Sequence, residues 1–183
     1  MGRWVSDDII SAAQTGDQSA GETLVAAAWP ACFRLAAALT GDRSLAQDAA
    51  QESCVIVYRK IRSLRDTRSF DSWLYRIVTH ESARVRRGHE ILLEPFEQST
   101  EDNDTATIDV WRALASLSPE QREVTVLFYF NDLKSDDIST ILGIPHATVR
   151  TRLARARERL RGLLDNYADI STHATQEMKQ HAF

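Results

Sequence analysis

A chain of 183 residues, 43% hydrophobic and 26% charged, has apolar content for one or two small domains, each with its own core. Seven Gly and four Pro are few. With no bilayer-length apolar run and no basic-then-apolar leader in view, the expectation is an all-α protein that neither spans a membrane nor carries a signal peptide. The formal net charge of −4 argues against a nucleic-acid partner only until it is divided along the chain: residues 32–87 hold 11 Lys/Arg against 6 Asp/Glu, residues 134–164 hold 7 against 3, and residues 88–110 hold 7 Asp/Glu and no Lys/Arg.

Affinity for a polyanion follows local phosphate contacts rather than the average, so two basic blocks flanking an acidic strip leave that partner open. With no export signal, Cys32 and Cys54 are expected as reduced thiols on helix faces, not as a disulfide. Far apart and without matched histidines, they make a poor metal site.

The first block, about residues 5–87, is continuous helical signal with short breaks. Thr40-Gly41-Asp42 ends one helix, and Ser44 with Gln47 predicts a capping box for the next, about 44–62. That helix sends Leu45, Ala49, Val57 and Ile61 inward. Asp48, Gln51, Glu52 and Val55 share another face at i, i+3, i+4 and i+7. A loop from Ser63 to Arg68 comes next, carrying Arg65 and Arg68 beside the preceding Arg62. Ser69 is expected to cap a helix running to Arg87. Its buried stripe is Trp73, Leu74, Ile77 and Val78, while Arg76, His80, Arg84 and Arg87 recur at i, i+4, i+8 and i+11 on another face. Trp73 and Tyr75 are expected to flank that basic face. Guanidinium groups interleaved with aromatics suit single-stranded DNA, holding phosphates and stacking unpaired bases.

Residues 88–106 lack a clean period and read as an acidic linker, although Ile91, Leu92, Leu93 and Phe96 argue for contact with some surface. The second block, residues 107–165, contains Ser118-Pro119-Glu120-Gln121, a capping box with Pro at the first helical position. Val124, Leu127, Phe128 and Leu133 supply the core against which the next two helices pack. From Lys134 the chain reads as a short helix, a Gly-Ile-Pro turn and a long basic helix. Ile138, Ile141 and Leu142 give the first an apolar face, Gly143 ends it, and Pro145 restarts the chain inside the next first turn. Val149, Leu153, Ala156 and Leu160 repeat inward, leaving six arginines mostly outward. A helix-turn-helix lays such a second helix in the DNA major groove. The tail, residues 166–183, is polar and has no assigned role.

Two motifs in order make the pattern specific. The run ALTGDRSLAQDAAQESCVIVYRKI, followed by SFDSWLYRI, resembles region 2 of the sigma-70 superfamily of sigma factors. LSPEQREVTVLFYFNDL, followed by DDISTILGIPHATVRTRLARARERL, resembles their region 4. A short linker and no other region between them is the layout of the extracytoplasmic-function (ECF) group. The resemblance implies a sigma factor with two helical domains that binds core RNA polymerase, recognises and melts promoters, and works in the cytoplasm without a cofactor.

Residue by residue, the resemblance implies that Asp48, Gln51, Glu52 and Val55 dock on the β′ clamp helices, with the β flap as a second polymerase contact. It places Arg62, Arg65, Arg68, Trp73, Arg76, His80, Arg84 and Arg87 at the −10 element. His146, Thr148, Arg150, Thr151, Arg152 and Arg155 fall at the −35 element. It also makes an anti-sigma partner plausible, and casts the acidic linker as a mimic of the transcript in the polymerase's RNA path. The chain departs from the family pattern at His80 and Arg84, where Asn and Asp are common, at Cys54, where a large apolar residue is usual, and at Lys134, where Ser usually caps. Ser135 or Asp136 is expected to cap instead.

A stand-alone helix-turn-helix regulator would explain residues 118–164 but leave the α-helical DxxQE face and the Trp-rich basic helix idle. An enzyme is disfavoured: neither His80-Glu81 nor His89-Glu90 is followed by the second histidine a zinc site needs, and no phosphate loop or nucleophile elbow occurs.

Overall fold

The structure, a computed structural model, describes residues 5–92 and 113–162, with the backbone alone at 90–92. The tail from 166 and residues 93–112, which include most of the acidic linker, lie outside the described residues. Helices joined by turns and short irregular links make up the described residues, and no strand occurs among them, as an all-α chain requires.

Helix α1 (Asp7–Thr15) starts where the Ser6 side chain accepts from Ile9 N and ends at Gly16, whose φ of 98° an L side chain rarely adopts. Asp17 caps α2 (Gln18–Thr40) and Asp42 caps α3 (Arg43–Lys60), each accepting a backbone N–H three residues on. The expected Ser44 capping box is therefore displaced: Asp42 lies nearer the turn, and its charged carboxylate takes Leu45 N at 2.8 Å. Two 3₁₀ turns, Ile61–Ser63 and Thr67–Ser69, occupy the loop before α4 (Phe70–Leu92). Ser69 does not cap α4, because its hydroxyl donates to the Asp66 carbonyl at 2.7 Å. Helix α4 also continues past Arg87 to Leu92, five residues into the stretch read as linker.

Helix α2 is long and apolar enough, by length and composition, to cross a bilayer, against the expectation that the chain holds no such run. Its inner face shows what it does here. Leu24, Ala28, Cys32, Leu35, Ala36 and Leu39 are buried, opposite Ala46, Ala49, Ala50, Cys54 and Val57 of α3. Small residues on both sides let two helices approach closely, and Phe70, Leu74 and Val78 of α4 close the core. Burying Phe70 and Leu74 completely contributes about 1.5–3 kcal/mol each.

In the second half a helical turn at 113–115 leads to α5 (Pro119–Tyr129). The expected capping box is present: Ser118 Oγ accepts from Gln121 N, and Gln121 Oε1 accepts from Ser118 N. Helix α6 (Ser135–Leu142) ends at Gly143 with φ 64°, and α7 spans 146–162. Lys134 itself is the N-cap of α6. Neither Ser135 nor Asp136 caps; Asp137 reaches back to accept from Lys134 N at 3.3 Å. Pro145 stands just before α7, not inside it, its carbonyl accepting from Thr148 N and Val149 N. Ile138, Ile141, Val149, Leu153 and Ala156 are buried between α5, α6 and α7 as the periodicity predicts.

The halves pack together, α5 on α2 and α6 on α4. Arg122 forms the joint. Its guanidinium donates to Leu114 O at 2.8 Å, Ala115 O at 2.9 Å and Leu117 O at 3.4 Å within its own half, and to Leu39 O at 3.3 Å in the other. Arg86 of α4 donates to the same Leu39 carbonyl at 3.2 Å.

Candidate polymerase and promoter interfaces

Helix α3 divides its two faces cleanly. The alanine-rich side is buried, and on the other Asp48 and Gln51 are exposed while Glu52 and Val55 are half-buried. Tyr58 continues this surface at i+7 from Gln51 and is 48% exposed. Its ring rests against Gly21 of α2, where an added Cβ would come within 3.0 Å. Tyr58 was not singled out from the sequence, though its place in the i, i+4, i+7 series from Gln51 was there to read.

On α4, Arg76, His80, Arg84 and Arg87 form one exposed stripe. Trp73 borders it, half-buried against Phe70 with ring centroids 6.0 Å apart. Tyr75 does not flank the stripe. One residue is a turn of about 100° on a helix, which carries Tyr75 round to a cleft between the halves with Arg34, Asp71 and Phe130. Burial there pushes its phenol pKa up. Glu81, weighed from the sequence only as part of a zinc motif, was missed as a partner of the stripe. Its carboxylate is buried, accepts from Arg84 Nε, and lies 3.5 Å from His80 Nδ1. That hydrogen bond holds the Arg84 pKa above its ordinary value and fixes the guanidinium by its Nε edge, so the outer nitrogens stay available to phosphate. The i, i+3 spacing of Glu81 and Arg84 was the available signal.

The loop arginines part company. Arg68 makes a forked pair with Asp66, Nε to Oδ1 at 3.1 Å and Nη2 to Oδ2 at 3.0 Å, with Arg68 exposed and Asp66 half-buried. Arg62 leans over Gly16, whose missing side chain gives it room, and Arg65 is exposed. Gln14 Nε2 donates to Leu64 O, tying the loop to α1.

On α7, His146, Arg150, Thr151 and Arg155 face solvent, and Thr148 is half-buried. His146 Nε2 stands 3.5 Å from Asp136 Oδ1, bridging the first turns of α6 and α7. The Thr151 hydroxyl is turned inward to donate to Ala147 O at 2.9 Å. Arg152 is separated from these: half-buried, it faces the carboxylates of Glu120 and Glu123 on α5. Arg157, one of the six arginines expected mostly outward, is exposed, donates Nε to Tyr129 Oη at 2.8 Å and lies 5.6 Å above the Phe128 ring. No cluster of metal-binding side chains occurs among the described residues.

The family profile for sigma-70 region 2 matches residues 24–90, and that for sigma-70 region 4 matches residues 107–160. The chain belongs to the sigma-70 family of RNA polymerase sigma factors. Its relatives place it in the ECF group. It is 30% identical over 177 residues to the ECF sigma factor SigW of Bacillus subtilis, a match covering 83% of this chain and 92% of SigW. It is 32% identical to SigM of Mycobacterium tuberculosis, covering 86% of this chain and 83% of SigM. It is also 32% identical to SigE of Mycolicibacterium smegmatis, where the match takes in 84% of this chain and 66% of the longer relative. The sigma factor RpoE of Bartonella quintana, solved in complex with the anti-sigma factor NepR, has the same architecture, with a TM-score of 0.65 at 25% identity over 79% of this chain and 96% of RpoE. This sigma factor therefore directs transcription initiation and is not an enzyme. The stand-alone regulator finds no support, because the likeness runs through region 2 as well as the helix-turn-helix.

Proposed function

We propose that residues 5–87 dock on the β′ clamp of core RNA polymerase and hold the −10 strand, that residues 88–106 link this domain to residues 107–165, which read the −35 duplex and meet the β flap, and that the chain acts in the cytoplasm. The observation that carries this reading is the separation of faces. Asp48 and Gln51 stand exposed on α3, while the exposed basic stripe lies on α4 and the exposed turns of α7 are in the other half. An acidic and amide-bearing face suits a protein partner, and the stripe of three arginines and one histidine beside Trp73 suits a strand whose bases have left the stack.

Arg76, Arg84 and Arg87 would grip phosphates, with His80 beside them and Trp73 offering a ring to a base. Arg62, Arg65 and Arg68 would line the loop that receives a flipped base, Arg68 exchanging Asp66 for phosphate. Trapping unstacked bases would offset melting, roughly a few kcal/mol per step. In region 4, His146, Thr148, Arg150, Thr151 and Arg155 would meet the −35 element, and Arg152 would contribute from the side. Elements about 25 base pairs apart lie about 85 Å apart at about 3.4 Å per base pair. That exceeds the span of a packed chain of this length, so the joint at Arg122 opens on the promoter. RpoE is solved in complex with an anti-sigma factor, and a partner of that class would hold this chain from the polymerase.

The test is promoter-directed transcription by purified core polymerase on a genomic fragment library, with and without the protein. Defined new start sites, lost on Asp48→Lys with Glu52→Lys, are expected. Start sites unaffected by the double reversal would sink the α3 assignment, and a protein that binds no core would sink the reading as a whole.

A further inference from the structure

Two thiols far apart in sequence meet in the first half. Helices α2 and α3 form an antiparallel hairpin across Gly41, and Cys32 and Cys54 both lie on its inner seam, buried and free. At about 1.5 Å per residue, Cys32 stands about 12 Å below the end of α2 and Cys54 about 16 Å along α3, so they fall within one turn of each other in height. Between Leu35, Leu39 and Val57, the seam also carries Ala28, Ala36, Ala46, Ala49, Ala50 and Ser53, all fully buried, and these small residues let the helices come close. A disulfide needs Cα atoms within about 7 Å, and an alanine seam is where helices come that near. Their interaction pushes the Cys32 thiol pKa up, with burial adding to it, and draws that of Cys54 down.

We infer that Cys32 and Cys54 are a redox pair, converted by a two-electron oxidant of the peroxide class into a reversible disulfide joining α2 to α3. Cys54, 6% exposed where Cys32 is fully buried, is the sulfur reached first. Its thiolate attacks the peroxide: an S–O bond forms, the O–O bond breaks, and the leaving oxygen departs as water after taking a proton. Cys32 then attacks the Cys54 sulfenic sulfur; the S–S bond forms and the S–O bond breaks, and a second water carries away the Cys32 proton. Two thiols and one peroxide thus give one disulfide and two waters. The pair is independent of the promoter reading, because its chemistry is read on the thiols themselves.

The experiment treats the full-length reduced protein with hydrogen peroxide, blocks remaining thiols under denaturing conditions, and measures intact mass and linked peptides. Expected are the loss of both free thiols, a mass lower by two hydrogens with no oxygen added, a Cys32–Cys54 linked peptide, and full return of both thiols with dithiothreitol. Cys32→Ser should instead trap a sulfenic acid at Cys54 that dimedone captures. Two thiols still free after peroxide, or oxygen adducts on wild-type cysteines without a linked peptide, would overturn the inference. The wild-type mass decides the matter even where a variant fails to fold.

Discussion

Replacing Arg122 with Met tests the joint at its centre. The side chain is 9% exposed, and its two shortest bonds, to Leu114 O and Ala115 O, satisfy carbonyls at the end of the helical turn that precedes α5. Hydrogen bonds from a charged donor contribute about 1.5–3 kcal/mol each, so those two account for about 3–6 kcal/mol. Burial acts the other way: it holds the Arg122 pKa below its ordinary value, the mark of an incompletely repaid desolvation that Met would not suffer. The balance is a loss of about 2–4 kcal/mol, felt in the second half. Lysine keeps the charge but has no fork to reach three carbonyls, so Arg122→Lys should fall between. The assay is native-state hydrogen exchange, reading α5 and α6 amides separately from α2 and α3, since a two-domain chain has no single unfolding free energy. Exchange of α5 in Arg122→Met within about 0.5 kcal/mol of wild type would refute the carbonyl-capping argument.

Other expectations rest on single side chains. Arg150 is exposed, so Arg150→Ala should leave stability unchanged; if it reads a base edge it should weaken the −35 duplex by about 1–3 kcal/mol, roughly 5- to 150-fold, in competition binding. Equal loss on all sequences would make it a phosphate contact. Ser118→Ala removes one arm of the capping box and should cost about 1 kcal/mol in the second half, seen as faster exchange of the first α5 amides. Burial pushes the Glu123 pKa up, more than Arg86, Arg152 and Arg87 bring it down. A raised carboxyl pKa gives stability that is full below the unfolded value and lost as pH rises through the folded one. Glu123→Gln should therefore be the more stable protein at neutral pH, with a flatter urea-midpoint profile between the ordinary glutamate value and the raised one. A variant less stable than wild type at pH 7 would show that the arginines outweigh the burial.

Much of the fold was legible because helical period is local. The buried stripe of α7 and the solvent side of α3 follow from spacing alone, and each half announces itself by its own motif. Caps were less legible: Ser44 and Asp42 compete for the first N–H groups of α3, Ser69 turns back to the Asp66 carbonyl, and only the backbone decides. Tyr75 and Arg152 show a second limit. Each was placed by adjacency to a functional stripe, yet the packing of the other helices took them to different neighbours. What spacing could not reveal is long-range: Arg122 reaching Leu39 across 83 positions, and Cys32 meeting Cys54.

The sharing of Leu39's carbonyl has a consequence for how the halves come apart. If region 4 parts from region 2 as proposed, Arg122 would keep its three carbonyls on its own side, and Leu39 would keep Arg86. Leu39 O would keep a donor and only Arg122 Nη1 would give up its partner, to water, so separation would forfeit one long hydrogen bond and not the several kcal/mol that an abandoned guanidinium would cost. In its hydrogen bonds the joint would then work as a snap fastener, nearly every bond on each side standing before it closes.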